Sequence, residues 1–206
     1  MGVGSQYGDK LMETLADKGD GFVVYVSDRA QAKRVFVNQL PATLAIRALD
    51  AKVQVTFRPE TVDTYRLVGF DNRVLASRDF RNDAVDGGEV GPGHSVTALY
   101  VVKLRPGGGQ LAEARVRWQD PKSRDATEAA GTVTAGDVDR AYDAAPARLR
   151  VDCSAAFFAE VLRHNPYAQP VALDGLTRDL ADLARKLEDP DVTDLATATG
   201  QATRTS

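Results

Sequence analysis

Residues 65–104 read YRLVGFDNRVLASRDFRNDAVDGGEVGPGHSVTALYVVKL, and this stretch decides the fold. It contains two strand-like runs, Tyr65–Phe70 and Ser95–Leu104, which are separated by a polar loop. Because the second run is apolar at most positions, it predicts a central strand of a sheet. The loop between the runs carries the acidic residues Asp79, Asp83, Asp86 and Glu89.

Alternating apolar and polar residues lie on both sides of this stretch. The apolar positions are Val53, Val55 and Phe57 before it, and Ala114, Val116 and Trp118 after it. A period of two predicts half-buried strands whose apolar side chains face the core. With a further predicted strand at Thr127–Val133, the pattern indicates an antiparallel sheet or small sandwich over residues 45–134.

The first 44 residues predict a helix, a strand and a second helix. The first helix has one apolar face, formed by Leu11, Met12, Leu15 and Ala16. Phe22–Val26 (FVVYV) is typical of a buried strand, and the second helix runs from about Gln31 to Leu40. This is half of a doubly wound α/β domain. We expect its open strand edge, Phe22–Val26, to pair with a second copy or to be covered by helices.

Residues 135–206 predict helices and a polar tail. One helix carries Phe157, Phe158, Val161 and Leu162 on one face, and the next carries a leucine stripe from Leu173 to Leu187. Two heptads are too few to stand alone, so the stripe is expected to pack on the preceding helix, with a partner helix or a dimer as the alternative. Thr197–Ser206 is polar and is predicted to be disordered. The predicted fold class is α+β.

The totals exclude several classes of partner. The chain has 206 residues, 43% hydrophobic and 27% charged, with a net charge of −3. A weakly acidic chain has no electrostatic reason to bind nucleic acid or an anionic membrane surface. No apolar run approaches the ~18 residues of a membrane span. With Cys153 as its one cysteine, the chain forms no internal disulfide, and the redox compartment stays open.

Several segments together resemble one bacterial family. They read GDKLMETLADKGDGFVVYV, QAKRVFVNQL, FFAEVLRHNPY and the phrase from Tyr65 to Tyr100. The resembled family consists of extracytoplasmic proteins in which a von Willebrand factor type A domain precedes a C-terminal domain of unknown function. Such proteins are often described as calcium-activated chloride channel homologues, a label that is no support for a channel.

The resemblance implies that residues 1–44 are the end of a type A domain and that the rest is the C-terminal domain. Type A domains bind a divalent cation through an Asp-x-Ser-x-Ser motif, which is expected upstream of Met1. We therefore expect no cofactor in this chain and a divalent cation in the full-length protein. The implied function is a non-enzymatic interaction or scaffold module with an unidentified protein partner, in an exported or cell-envelope protein.

The acidic loop is the strongest metal-site candidate in the sequence. Calcium prefers six to eight oxygen ligands, often from loop carboxylates at short spacing. The spacing of Asp79, Asp83, Asp86 and Glu89 does not match an EF-hand, because Arg81 occupies a ligand position. The favoured interpretation is a solvated turn in which Gly87-Gly88 supplies positive φ, and a calcium-binding β domain is the alternative.

Other motifs favour structural roles. Gly2-x-Gly4-x-x-x-Gly8, with Asp28 after the next strand, loosely resembles a dinucleotide fingerprint, but no strand precedes it. A nucleotide-binding enzyme fragment is therefore a weaker alternative. Asp152-Cys153-Ser154 is a broken Asp-x-Ser-x-Ser motif, better interpreted as a helix N-cap. His94 and His164 are interpreted as a turn and a helix-end histidine, and Cys153 as a buried, inert thiol.

Overall fold

The structure is a computed structural model, and it describes residues 8–18, 23–24, 26, 29–39, 45–69, 75–85, 87–138, 141–168 and 172–205. These residues form helices and antiparallel sheets, so the predicted α+β class is confirmed. They fall into two compact units. The first holds the described residues within Met1–Thr56, Leu75–Val96 and Glu113–Gly131, and the second holds those within Phe57–Val74, Thr97–Ala112 and Thr132–Ser206. The domain boundaries predicted after residues 44 and 134 stay predictions.

The first unit is built on a four-stranded sheet in the order β3-β1-β5-β6. Its strands are β1 (Ala48–Phe57), β3 (Gly88–Val90), β5 (Gln110–Gln119) and β6 (Ala126–Thr134), and the ends of β1, β5 and β6 continue into the second unit. A short 3₁₀ turn, Ser77–Asp79, precedes β3. Pairing of β1 with β3 is antiparallel, and a bulge interrupts it between Ala48 and Ala51.

The N-terminal segment is helical where it was predicted to be. Helix α1 is Asp9–Lys18, and α2 is Arg29–Arg34, which continues into a π-helical turn, Val35–Gln39. The predicted apolar face of α1 is not buried as a whole, because Leu11 and Leu15 are exposed. Val23, Val24 and Val26 are exposed and not in a strand, while Phe22 and Tyr25 lie outside the described residues. The predicted strand and its open edge are thus not found where the chain is described.

In its described residues, the second unit contains a two-stranded antiparallel sheet, three α-helices and two short 3₁₀ helices, Tyr142–Ala144 and Pro166–Ala168. The sheet pairs β2 (Val62–Val68) with β4 (Leu99–Leu104), with Tyr65 opposite Val102 and Leu67 opposite Tyr100. The expectation of a central strand at Ser95–Leu104 is wrong, because in the described part of the chain β4 pairs with β2 alone and its last four residues are exposed. An apolar composition indicated burial on two sides, but three of the five apolar residues of this strand are exposed.

The C-terminal helices are α3 (Ala147–Leu162), α4 (Leu173–Leu187) and α5 (Pro190–Thr205). Helix α4 packs against both neighbours and buries Leu180 and Leu183, so its leucine stripe is used within the chain. Among the described residues, no helix is long and apolar enough to cross a bilayer.

The prediction of a disordered tail at Thr197–Ser206 is wrong, because α5 continues to Thr205. Its threonine hydroxyls are satisfied inside the helix, as when Thr199 donates to the Leu195 carbonyl at 2.9 Å. Thr177 of α4 and Thr203 of α5 also share a 2.9 Å hydrogen bond. Small side chains therefore let the two helices approach closely despite the polar composition, and Ser206 lies outside the described residues.

The predicted burial of alternate positions in β1 and β5 is inverted at its centre. Val53 is 61% exposed and Val116 is exposed, whereas their neighbours Lys52 and Arg117 are 2% and 6% exposed. The alternation itself is correct, but the polar side of each strand faces the interior of the unit. The reason is a set of ion pairs that apolar patterning does not reveal.

Candidate functional site

The acidic loop of the first unit is held by basic partners rather than gathered around a common centre. Asp79 ends the 3₁₀ turn, and Glu89 lies on β3. Asp83 forms an ion pair with Arg117, whose Nη2 lies 2.6 Å from Oδ1. Asp86 lies outside the described residues. Within the described part of the chain, no three His, Cys, Asp or Glu side chains are grouped as metal ligands.

Lys52 is the centre of a buried ion cluster. Its side chain is fully buried, and Nζ lies 2.9 Å from both carboxylate oxygens of Asp50. The same ammonium donates a 2.8 Å hydrogen bond to the Asn82 carbonyl in the acidic loop. A buried charge without partners costs several kcal/mol, so these contacts are required for the lysine to lie inside.

Arg117 of β5 completes the cluster. Its Nη1 is 3.5 Å from Asp50 Oδ2, while Nη2 binds Asp83. Hydrogen bonding to Arg117 is the main cause that lowers the pKa of the Asp83 carboxyl, which favours its ionised form. The two cations and two anions balance, and they connect β1 and β5 to the loop that was predicted to be solvated.

Backbone geometry adapts the loop to this cluster. Asp50 has φ of 50°, in the left-handed region, at the bulge of β1. Gly87 lies against it so closely that a Cβ would be 2.8 Å from the Ala51 carbonyl oxygen and 2.9 Å from Asp50 Oδ1. Gly87 is therefore required for close approach. The predicted positive φ is wrong, because neither Gly87 nor Gly88 adopts it.

The buried cluster and the close glycine make the loop a fixed part of the first unit. Phe80 is also buried, which adds an apolar anchor before the ion cluster begins. On the outside, Arg81 forms two hydrogen bonds with Glu128 of β6, at 2.7 and 2.9 Å. That pair lowers the pKa of Glu128 and raises the pKa of Arg81. The arrangement positions the loop.

The second unit carries an aromatic face on its two-stranded sheet, formed by Phe57, Tyr65, Tyr100 and Val102. The ring of Phe57 stacks on Tyr65 at 4.3 Å and meets Tyr100 edge-on at 5.2 Å. Tyr65 is nevertheless 59% exposed, and Val102 beside it is also exposed. Burial raises the pKa of the Tyr100 hydroxyl, as expected for a tyrosine at the sheltered end of such a cluster.

The opposite face of this sheet is attached to α3. Arg66 donates two hydrogen bonds to the Glu160 carboxylate, at 2.8 and 2.9 Å, and its guanidinium lies 4.9 Å from the Tyr167 ring centre. Asn165 also donates to Glu160, at 3.1 Å. Because alternate residues of β2 point to opposite faces, this attachment leaves Tyr65 on the open side.

The structure also places the three remaining candidate motifs of the sequence, which are Asp152-Cys153-Ser154, His94 and His164. Asp152, Cys153 and Ser154 are inside α3, so their interpretation as a helix N-cap is wrong: Pro146 precedes the helix. Ser154 is buried and its hydroxyl lies 3.3 Å from the hydroxyl of Tyr142, and burial raises the pKa of the Cys153 thiol. His94 is exposed after the Gly91 turn, and His164 follows α3 with φ of 53°.

The residues that sequence reasoning missed are Lys52, Arg117, Arg66 and Glu160. Lys52 and Arg117 were expected on the solvent-facing side of their strands, and Arg66 and Glu160 were given no role. The sequence contained one signal for the buried cluster: the two basic residues, Lys52 and Arg117, are matched in number by the acidic residues Asp50 and Asp83. The Gly2–Gly8 fingerprint cannot be compared, since residues 1–7 and Asp28 lie outside the described part of the chain.

Two comparisons with known proteins found a similarity. Residues 42–110 match the model of a family described as "Uncharacterized protein YfbK, C-terminal". The chain is also 36% identical over 104 residues to the uncharacterized protein YfbK of Escherichia coli K12, which covers 50% of this chain and 18% of that protein. The alignment thus spans less than a fifth of the relative. No solved structure matches.

Proposed function

We propose that this chain is a non-enzymatic protein-interaction module, the C-terminal part of an exported or cell-envelope protein with a von Willebrand factor type A domain. The similarity of residues 42–110 to a C-terminal family model supports a C-terminal position. The resemblance of residues 1–44 to the end of a type A domain supports the rest. The module's role is to dock against the type A domain and hold it in place.

The aromatic face carries this proposal. Phe57, Tyr65, Tyr100 and Val102 form an apolar surface within the part of the chain that matches the family model. Aromatic side chains are the residues that most often dominate binding energy at protein interfaces. They bury a large area while losing few rotamers, and a tyrosine hydroxyl can still find a hydrogen-bond partner.

A tethered type A domain suits a face of this modest size. Two domains in one polypeptide meet at a high effective concentration, so a small interface is sufficient. Interfaces between domains of one chain are also typically small and partly polar. A tyrosine-rich sheet face fits that description better than a fully apolar one.

The test is binding in trans between this chain and the type A domain of the full-length protein, followed by fluorescence anisotropy. We expect Tyr65→Ser combined with Val102→Ser to weaken binding at least 10-fold, about 1.4 kcal/mol. Val53→Ser is the matched control, because Val53 is an equally exposed strand residue on the other sheet. The proposal would be overturned if the unaltered chain does not bind at about 100 micromolar, or if all variants bind equally well.

A further inference from the structure

Among the residues that the structure describes, strand β6 is an open edge of the four-stranded sheet. It is the outer strand in the order β3-β1-β5-β6, and all 9 of its residues are exposed. Its sequence, ATEAAGTVT, contains no Pro, Lys or Arg, the residues that usually protect an edge strand from pairing. The other outer strand, β3, has 3 residues and is protected by its shortness.

The direction of the β6 amides follows from two hydrogen bonds at its end. The Ala135 amide donates to the Gly109 carbonyl beside β5, at 2.9 Å. The Thr134 amide donates in the other direction, to Asp137 Oδ2 at 2.8 Å. Since adjacent amides of a strand point to opposite sides, the amides of Glu128, Ala130 and Thr132 point away from β5.

We propose that β6 pairs with β6 of a second copy, antiparallel and about a two-fold axis through Ala130. Ala130 then faces itself as a hydrogen-bonded pair, and Glu128 faces Thr132 of the second copy. Each outward amide of the strand centre gains a carbonyl partner, and the sheets of both copies become continuous. A two-fold interface of this kind is closed, so it gives a dimer and not a fibre.

Charge repulsion and the hydrogen bond already made by the Thr134 amide select this register among the alternatives. With Ala130 at the axis, the two Glu128 side chains are four residues apart, about 13 Å, beyond the ~8 Å screening length of physiological salt. A shift of the axis to Glu128 would place the two carboxylates directly opposite each other, which is unfavourable. A shift to Thr132 would require the Thr134 amide, which Asp137 already occupies.

The side chains that would meet at the axis are small enough to pair without a steric clash. Ala129 faces Gly131 of the second copy, and a Cβ at Gly131 would meet nothing within 4 Å in the single chain. The only charged residue of the strand, Glu128, is already paired with Arg81. The second copy therefore needs to supply no counter-charge, which fits an identical strand better than a basic peptide.

Sedimentation velocity on the whole chain, from about 1 to 300 micromolar, tests the register. We expect a reversible dimer, and we expect Ala130→Lys and Ala130→Glu each to weaken it at least 10-fold. Mixing these two variants should restore dimerisation, because opposite charges then meet at the axis. Ala130→Thr is the matched neutral control and should dimerise as the unaltered chain does.

Two results would overturn the inference. One is a monomer at every concentration. The other is a dimer that neither charged variant weakens and whose mixture is no stronger than the variants alone. If Tyr65→Ser instead abolishes that dimer, the contact lies on the aromatic face. Circular dichroism of each variant confirms that the fold is retained.

Discussion

Arg66 of β2 and Glu160 of α3 form a two-bond ion pair between residues that are 94 positions apart in the sequence. The Glu160 side chain is 7% exposed and accepts a third hydrogen bond from Asn165. The pair attaches the two-stranded sheet to the helices of the second unit. It also determines which face of that sheet stays open, since Tyr65 points to the other side.

Removal of Arg66 should strongly destabilise the second unit. Arg66→Ala leaves the buried Glu160 carboxylate without its cationic partner, which typically costs about 3 kcal/mol. Urea unfolding should report this loss as a lower midpoint with little change of slope. The double variant Arg66→Met, Glu160→Leu should recover much of the stability, because similar apolar volume replaces both charges.

Arg78→Ala is the control for that experiment. Arg78 is 88% exposed and lies 4.0 Å from Asp79, so its loss should change the free energy of unfolding by less than about 0.5 kcal/mol. Equal effects of Arg66→Ala and Arg78→Ala would contradict the role assigned to the buried pair.

Two adjacent glycines give a second prediction. Gly87→Ala should destabilise the first unit by about 2 kcal/mol or more, because the new Cβ would be 2.8 Å from the Ala51 carbonyl oxygen, and overpacking of this kind costs roughly 1–3 kcal/mol. Gly88→Ala is the matched control, since nothing lies within 4 Å of a Cβ there. Urea unfolding of both variants makes the comparison, and a similar loss in each would show that the loop does not contact the bulge at Asp50.

Much of the fold follows from local pattern, and the buried ion cluster does not. Strands were predicted at 53–57, 114–118 and 127–133 from local signals, and the structure places them at 48–57, 110–119 and 126–134. The burial of Lys52 was not, because it depends on Asn82, 30 residues away. Periodicity gives two faces of a strand, but which face is buried depends on partners distant in sequence.

The tail of the chain was missed for a different reason. Residues 197–205 are rich in Thr and Ala, and low hydrophobicity predicts disorder. In the structure, Thr199 is fully buried with its hydroxyl bonded to its own helix. Composition alone does not distinguish a solvated tail from a helix whose small residues allow close packing.

Acid should weaken the attachment of α5 through Asp189. The pKa of its carboxyl is lowered, first by the hydrogen bond from Arg148 and then by the Asp191 amide at the start of the helix. A carboxyl with a lowered folded-state pKa stabilises the fold above its unfolded pKa, and this stabilisation is lost as pH falls through the folded value. Asp189→Asn should therefore reduce the fall in melting temperature between pH 7 and pH 3.

The effect of Asp189→Asn is partial, because the pKa values of Asp83, Glu128 and Asp137 are also lowered by hydrogen bonds. Arg148→Gln removes the first cause at Asp189 and should act in the same direction. An unchanged pH dependence of melting in both variants would contradict the assignment of this carboxylate.

Calcium gives the last prediction, and it decides between two interpretations of the acidic loop. We expect no calcium-specific rise in melting temperature, because Asp83 already binds Arg117 and a metal ion would have to displace that cation. Asp83→Asn should lower the melting temperature equally with calcium, with magnesium and with chelator, since it leaves Arg117 of the ion cluster with one anion fewer. A calcium-specific rise of several degrees that Asp83→Asn abolishes would instead make the loop a metal site, because a ligand that binds only the folded state raises the midpoint. Arg117 would then have to move away from the loop, and Lys52 would become the only cation beside Asp50.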